Sequence, residues 1–276
     1  MMKKIIVVLS MISLLLLVYF YEYTSINKKE GISLADNKTS SNTTITIVYD
    51  NYDFDDRLKT GFGFSCLVET GDKTILFDSG GDSETLLNNM EKLEIDLKEI
   101  DMIVLSHIHG DHTGGLTGIL KLNSDVTVYI PKSFPDSFKD DIKSYGATFV
   151  EVSDPIKIFD GVYTTGELGT LIKEQSLIIK TERGLVVITG CAHPGIVNIV
   201  RKAKQITKED VYLVTGGFHL SSASDADLKQ IVNAFRELGV KKPGPCHCSG
   251  GRCRELFEEE YRDDFIKVGV GKRILI

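Results

Sequence analysis

The chain has 276 residues, enough for one large domain or two small ones at ~100–200 residues each. Hydrophobic residues make up 42% and charged residues 26%, close to globular averages, which excludes a wholly disordered or fibrous protein. A net charge of −7 offers no broad basic surface for nucleic acid, and five cysteines are too sparse and odd a set for a disulfide-stapled scaffold.

The first element in chain order departs from that average. Residues 5–21, IIVVLSMISLLLLVYFY, carry no charge and follow Lys3 and Lys4, the shape of a secretory n-region and h-region. The run is slightly shorter than the ~20 residues of a typical spanning helix, and no small-residue cleavage site follows at once. Residues 1–21 therefore read as an uncleaved membrane anchor in preference to a cleaved signal segment, with the body of the chain outside the cytoplasm. Residues 22–43, rich in Ser, Thr, Asn and Lys, read as a linker.

From residue 44 to 276 the pattern is that of one α/β domain. TITIVYD (44–50), FGFSCLVET (62–70) and TILFDSG (74–80) are β-branched and aromatic runs bounded by turn residues, hence strands. SETLLNNMEKLEI (83–95) has helical spacing with Ser83 as a candidate cap, and MIVLSH (102–107) is a continuous apolar run typical of a buried strand. A helix over 112–122, a strand over 125–131 and a helix over 133–145 follow. Strands are expected near 147–153, 156–164, 175–181 and 185–190, a helix over 195–206 and a strand over 211–217. The end is read as helices over 225–238 and 251–262 with two short strands, FIKVGV (265–270) and KRILI (272–276).

The chemistry concentrates in Ser106-His107-Ile108-His109-Gly110-Asp111-His112-Thr113-Gly114-Gly115. In extended chain, residues two apart point to the same side, so His107 and His109 can approach one ion together. Gly110 permits a sharp turn, after which Asp111 and His112 can face a second ion. Imidazole and carboxylate suit zinc, with iron and manganese as alternatives. The other three of the six histidines each sit at a strand end beside glycine: His193 in TGCAHPG, His219 in GGFH and His247 in PCHCSG. Cys246, Cys248 and Cys253 with His247 are spaced too tightly for a structural zinc knot, and Cys191 and Cys248 read as small residues lining the site. A disulfide between two of the five cysteines is open, with no pair selected. Ser249, Gly250 and Gly251 open the last long helix beside His247, with Ser249 as its expected cap, and unpaired N–H groups there would suit an anionic group of a small-molecule substrate.

The HxHxDH motif, with Phe77-Asp78-Ser79-Gly80 ahead of it and single histidines after it, resembles the metallo-β-lactamase superfamily. TGCAHPG (189–195), GGFHL (216–220) and HCSG (247–250) are similar to its branch named for 7,8-dihydropterin-6-methyl-4-(β-D-ribofuranosyl)-aminobenzene-5'-phosphate synthase. The resemblance covers roughly residues 44–276 and implies an αβ/βα sandwich: two mixed β-sheets face to face, helices outside, a metal site at one edge. It implies one or two divalent ions, the first held by His107, His109 and His193 and the second by Asp111, His112 and His247. Asp78 is expected to brace the ligand loop by hydrogen bonds rather than to ligate. Many members carry a bridging aspartate where this chain has Gly217, so His219 is either a substitute ligand or a substrate contact.

The activity expected is metal-dependent hydrolysis of a small phosphorylated or ester substrate by a metal-activated water. Asp111 would orient that water or take its proton, and His219 would donate to developing charge. Two alternatives stand beside it: a transferase displacing pyrophosphate from a pterin-like substrate, and a non-catalytic metal-binding protein of the membrane.

Overall fold

In the computed structural model, residue 39 and residues 42–276 are described. Strands β1 (Thr44–Tyr49), β2 (Ser65–Thr70), β3 (Lys73–Phe77), β4 (Met102–Val104), β5 (Thr127–Pro131), β6 (Thr148–Val152) and β13 (Arg273–Leu275) form one sheet, in the order β13-β1-β2-β3-β4-β5-β6. Strands β7 (Lys157–Phe159), β8 (Val162–Thr164), β9 (Leu177–Thr181), β10 (Gly184–Thr189), β11 (Val211–Gly217) and β12 (Lys242–Cys246) form the other, in the order β12-β11-β10-β9-β8-β7. Both sheets are mixed: β3 to β6 run parallel in the first, and β10 to β12 run parallel in the second.

The period-2 alternation of the strands explains why two sheets stack. Ile75 and Phe77 of β3, Val104 of β4, Ile179 of β9, and Val186 and Ile188 of β10 share one buried cluster between the sheets. Their neighbours Leu76 and Ile103 point the other way, into a second cluster with Leu86, Met90, Leu116, Ile119 and Ile142. Those residues come from α1 (Ser83–Lys92), α3 (Leu116–Leu122) and α4 (Asp136–Ser144), which cover the outer face of the first sheet. Helices α5 (Ile196–Thr207), α6 (Asp225–Glu237) and α7 (Gly251–Tyr261) accompany the second sheet; there the rings of Phe218, Phe235 and Phe257 meet at 5.0–5.7 Å, Phe257 edge-on to both others. The result is the expected αβ/βα sandwich.

Several local expectations are corrected. The run 156–164 is a hairpin of two short strands turning at Asp160–Gly161, and Gly161 takes φ +79° to make it. β12 was not foreseen: its KPGPC carries two prolines and a glycine, tolerable because β12 is the edge strand of its sheet. FIKVGV is no strand beyond a single bridge from Val270 to Asp53. The helix expected over 112–122 is two, α2 (Gly110–Thr113) and α3, separated by Gly114 and Gly115. A Cβ on either glycine would lie 2.1 Å from the carbonyl oxygen of Gly81 or Ser79, so only glycine lets this turn rest on the β3 loop. Asp82, not Ser83, caps α1, accepting from Thr85 N at 2.7 Å.

The expected membrane anchorage, with the body outside the cytoplasm, is also corrected. Among the described residues no helix is long and apolar enough to cross a membrane. The segment 1–21 and nearly all of the linker 22–43 lie outside the described residues.

The inter-sheet core should dominate stability. Ile188→Ala, at a fully buried position, is expected to cost ~2–5 kcal/mol in urea unfolding. Leu275→Ala, 73% exposed on the edge strand β13, should stay within ~0.5 kcal/mol.

Candidate metal centre

All six histidines lie just past the carboxyl ends of strands or of the loops that follow them. β4 leads to Ser106, His107 and His109, β10 to Cys191 and His193, β11 to His219, and β12 directly to His247. Parallel pairing of β3 with β4, and of β10 with β11 and β12, brings each sheet's share of these ends to a common edge. Four of the eight non-glycine residues with positive φ among the described residues are here: Asp78 (55°), Ala192 (59°), His219 (55°) and His247 (47°). Such a concentration of left-handed backbone marks a site whose side-chain directions are held by its surroundings.

The side chains converge in two adjoining groups. His107, His109 and His193 form the first, with His107 Nε2 at 3.1 Å from His109 Nδ1 and ring centroids 4.7–4.9 Å apart. Asp111, His112, Cys191 and His247 form the second. Within it His112 Nε2 lies 3.2 Å from His247 Nε2, and Asp111 Oδ2 lies 3.3 Å from His247 Nε2. The rings of His107 and His112, at 4.2 Å, join the groups. His219 stands outside both, its exposed ring 4.4 Å from His193.

Partners behind the histidines fix their tautomers and rotations. Buried Asp78 accepts from Ser106 N at 2.6 Å and from Ser106 Oγ at 2.7 Å, and its Oδ2 lies 2.7 Å from His112 Nδ1. His247 Nδ1 lies 2.9 Å from Asn51 Oδ1, which also accepts from Gly63 N. Glu174, entirely buried, takes three backbone N–H groups, those of Cys191, Ala192 and His193, at 2.8–3.0 Å. Asn51 and Glu174 were missed in the sequence, where Cys191 was read as lining the site. Each acts on a loop distant along the chain, and only the polar Glu174-Gln175-Ser176 run just ahead of an apolar strand hinted at one of them.

The electrostatics favour a cation. Burial, then the neighbouring imidazoles, holds the pKa of His107 far below its ordinary value, and the same causes bring His193 down to about 4. Both rings are therefore neutral at neutral pH, with lone pairs to give. Burial works against a charge on His112, but the Asp78 carboxylate outweighs it and raises that pKa. Burial likewise opposes ionisation of Asp111, yet the hydrogen bond with His247 and the His112 charge hold it at about 2. Buried His193 Nε2 has no hydrogen-bond partner in the protein, the orphan expected of a nitrogen built to meet an ion. The donor set therefore fits divalent metal.

The expected anion site at α7 is altered. Ser249 does not cap the helix; its Oγ donates to Cys246 O at 2.6 Å and accepts from Phe218 N at 3.0 Å. Gly250, with φ +84°, is the N-cap instead. Arg252 in the first turn is engaged by Asp225.

A family model for the metallo-beta-lactamase superfamily matches residues 58–201. The chain belongs to the metallo-β-lactamase superfamily. It is 36% identical to a 7,8-dihydropterin-6-methyl-4-(beta-D-ribofuranosyl)-aminobenzene-5'-phosphate synthase of Methanocaldococcus jannaschii, across 77% of this chain and 89% of that relative. Among solved structures it resembles Tm1679, described as a metal-dependent hydrolase of the beta-lactamase superfamily. The TM-score is 0.70 at 28% identity, covering 84% of this chain and 98% of that one. The fold also matches YhfI of Bacillus subtilis, with a TM-score of 0.65 at 14% identity over 84% of this chain and 99% of that one. Metallo-β-lactamase members generally bind divalent metals, and the two donor groups, with a third set of Cys191, His219 and Cys248 beside them, are candidate places for this among the described residues.

Two substitutions test the centre. His107→Ala should remove about one equivalent of metal per chain and abolish turnover, read by elemental analysis of the purified variant. Asp78→Asn, which spares every candidate ligand, should weaken metal affinity ~10–100-fold in a chelator competition; unchanged affinity would remove Asp78 from the support of this site.

Proposed function

We propose that this metallo-β-lactamase-fold protein is a metal-dependent hydrolase acting on a small phosphorylated or ester substrate through a metal-activated water. What supports this best is the pair of adjoining donor groups, seven side chains at one sheet edge with His193 Nε2 left without a protein partner. In this reading His107, His109 and His193 hold one ion, and Asp111, His112 and His247 hold another. The nitrogen-rich donor set suits zinc first, iron or manganese second. Divalent ions so held supply a water of pKa near ~7 and polarise a carbonyl or phosphoryl oxygen.

The chain's own residues supply positioning and proton transfer. Asp111 is partly exposed and reaches both His112 and His247, so its carboxylate is placed to orient the attacking water and accept its proton. His219 lines a groove of about 250 Å³ with Ile196, Val197, Phe218 and Leu220, and from there its ring donates to charge developing on the substrate. The groove takes an apolar portion of that substrate. The N–H groups of Gly250 and Gly251 at the start of α7, beside His247, take an anionic portion.

A second reading is favoured by the 36% identity to the dihydropterin-ribofuranosylaminobenzene phosphate synthase. The same residues would then serve a transferase that displaces pyrophosphate from a pterin-like substrate, with an organic acceptor in place of water.

Labelled water separates the two. The metal-loaded protein should cleave members of a panel of phosphomonoesters, phosphodiesters and carboxylic esters in water enriched with heavy oxygen, and one product should carry the label. Product that forms only when an aryl-amine acceptor is added, without label, would overturn hydrolysis in favour of transfer. Inorganic phosphate should inhibit competitively; purely non-competitive inhibition would remove the anion contact at α7.

A further inference from the structure

The position where many metallo-β-lactamases carry a bridging aspartate is Gly217 here, and the structure gives no room for one. A Cβ at 217 would lie 2.3 Å from Gly190 O, 2.7 Å from Cys248 Sγ and 3.1 Å from His247 Cδ2. The second donor group must find its remaining ligand elsewhere. Cys191 is buried, and its Sγ stands 3.2 Å from His112 Nε2 and 3.4 Å from His247 Nε2. Asp111 Oδ2 lies 3.6 Å and 3.3 Å from those same two nitrogens, which are themselves 3.2 Å apart.

These separations have a direct meaning. Ligands bound tetrahedrally at ~2.0–2.3 Å, the usual zinc–nitrogen, zinc–oxygen and zinc–sulfur distances, lie ~3.3–3.6 Å from one another. The five separations, 3.2–3.6 Å, lie within that spacing or 0.1 Å below it, in a set of one carboxylate, two imidazoles and one thiol. We propose that Cys191, as a thiolate, is the fourth ligand of the second ion and stands in for the absent aspartate. The bond formed is metal–sulfur, and the thiol proton passes to solvent as the ion binds.

The loop is built to hold this sulfur in place. Glu174 accepts the Cys191 N–H at 3.0 Å, and left-handed Ala192 at φ 59° turns the chain so that Cys191 and His193 serve different groups. Cys248, whose Sγ contacts Cys191 O at 3.7 Å and accepts from His219 N at 3.3 Å, groups with Cys191 and His219 and stands outside the set of Asp111, His112, Cys191 and His247. The inference rests on the two-ion reading of the site and is independent of the reaction catalysed. It divides the centre: the second ion has four protein ligands, two of them anionic, and the first has three neutral imidazoles. Closed four-ligand sites are structural, and three-ligand sites keep a position open for substrate.

The test replaces the metals of the full-length protein with cobalt(II). Two equivalents per chain and a thiolate-to-cobalt charge-transfer band in the near ultraviolet are expected. Cys191→Ser should abolish the band and lose one equivalent, and Cys248→Ser should keep both. X-ray absorption of the zinc-loaded wild type, which needs no variant to fold, should show a sulfur scatterer at ~2.3 Å. Two bound equivalents with neither band nor sulfur scatterer overturns the role of Cys191, as does a band lost with Cys248→Ser and kept with Cys191→Ser. A single equivalent in the wild type overturns the two-ion reading on which the inference stands.

Discussion

A buried carboxylate holds this site together. Asp78 is fully enclosed at the end of β3, in a left-handed conformation, with no Lys or Arg among the partners of its oxygens. An isolated charge there would be costly, and Ser106 and His112 lower that cost by surrounding it with donors. In satisfying Asp78, Ser106 pins the first residues past β4, and its Oγ also meets His107 Nδ1 at 2.9 Å. His112, drawn in by its Nδ1, must aim Nε2 at the second donor group. One carboxylate thus sets the direction of a histidine in each group. The hydrogen bonds that neutralise it are the same ones that aim the metal donors.

Much of this could be read from the residues, and the limits have physical causes. Strands such as β3 and β10 declare themselves because alternate side chains face different cores, and a two-residue period survives in the sequence. The HxHxDH motif is legible because its donors are close along the chain, so strand periodicity alone says which share a side. β12 was hidden because prolines are tolerated at a sheet edge, and edge position is a property of the whole sheet. Asn51 and Glu174 were hidden for a related reason. Asn51 meets His247 across 196 residues, and Glu174 meets the Cys191 loop across 17. Apart from the polar run at 174–176, nothing local in either segment marks a polar residue as another's support. The apolar run at 5–21, the loudest local signal in the chain, led to an anchorage that no described helix supports.

The two donor groups differ in charge as well as in coordination. In the proposed assignment, three neutral imidazoles would leave a bound divalent ion with its full charge, whereas Asp111 and a thiolate at 191 would cancel that of its neighbour. Only the first ion would then pull strongly on a substrate's oxygen, and it lies beside His193, on the side of the apolar groove and His219. The second would chiefly draw its three loops together. Those loops follow strands of both sheets, so a charge-neutral ion proposed here would work as a clasp across the sandwich.

The order of the donors along the chain adds a constraint on biosynthesis. A growing polypeptide emerges from its amino end at ~5–20 residues per second, and the first group is complete once His193 has left the ribosome. The second group waits for His247, which arrives with the last strand of its sheet and closes back on Asn51 near the beginning of the described chain. In the proposed two-ion site, the three histidines of the first group are thus all translated well before the residue that completes the second.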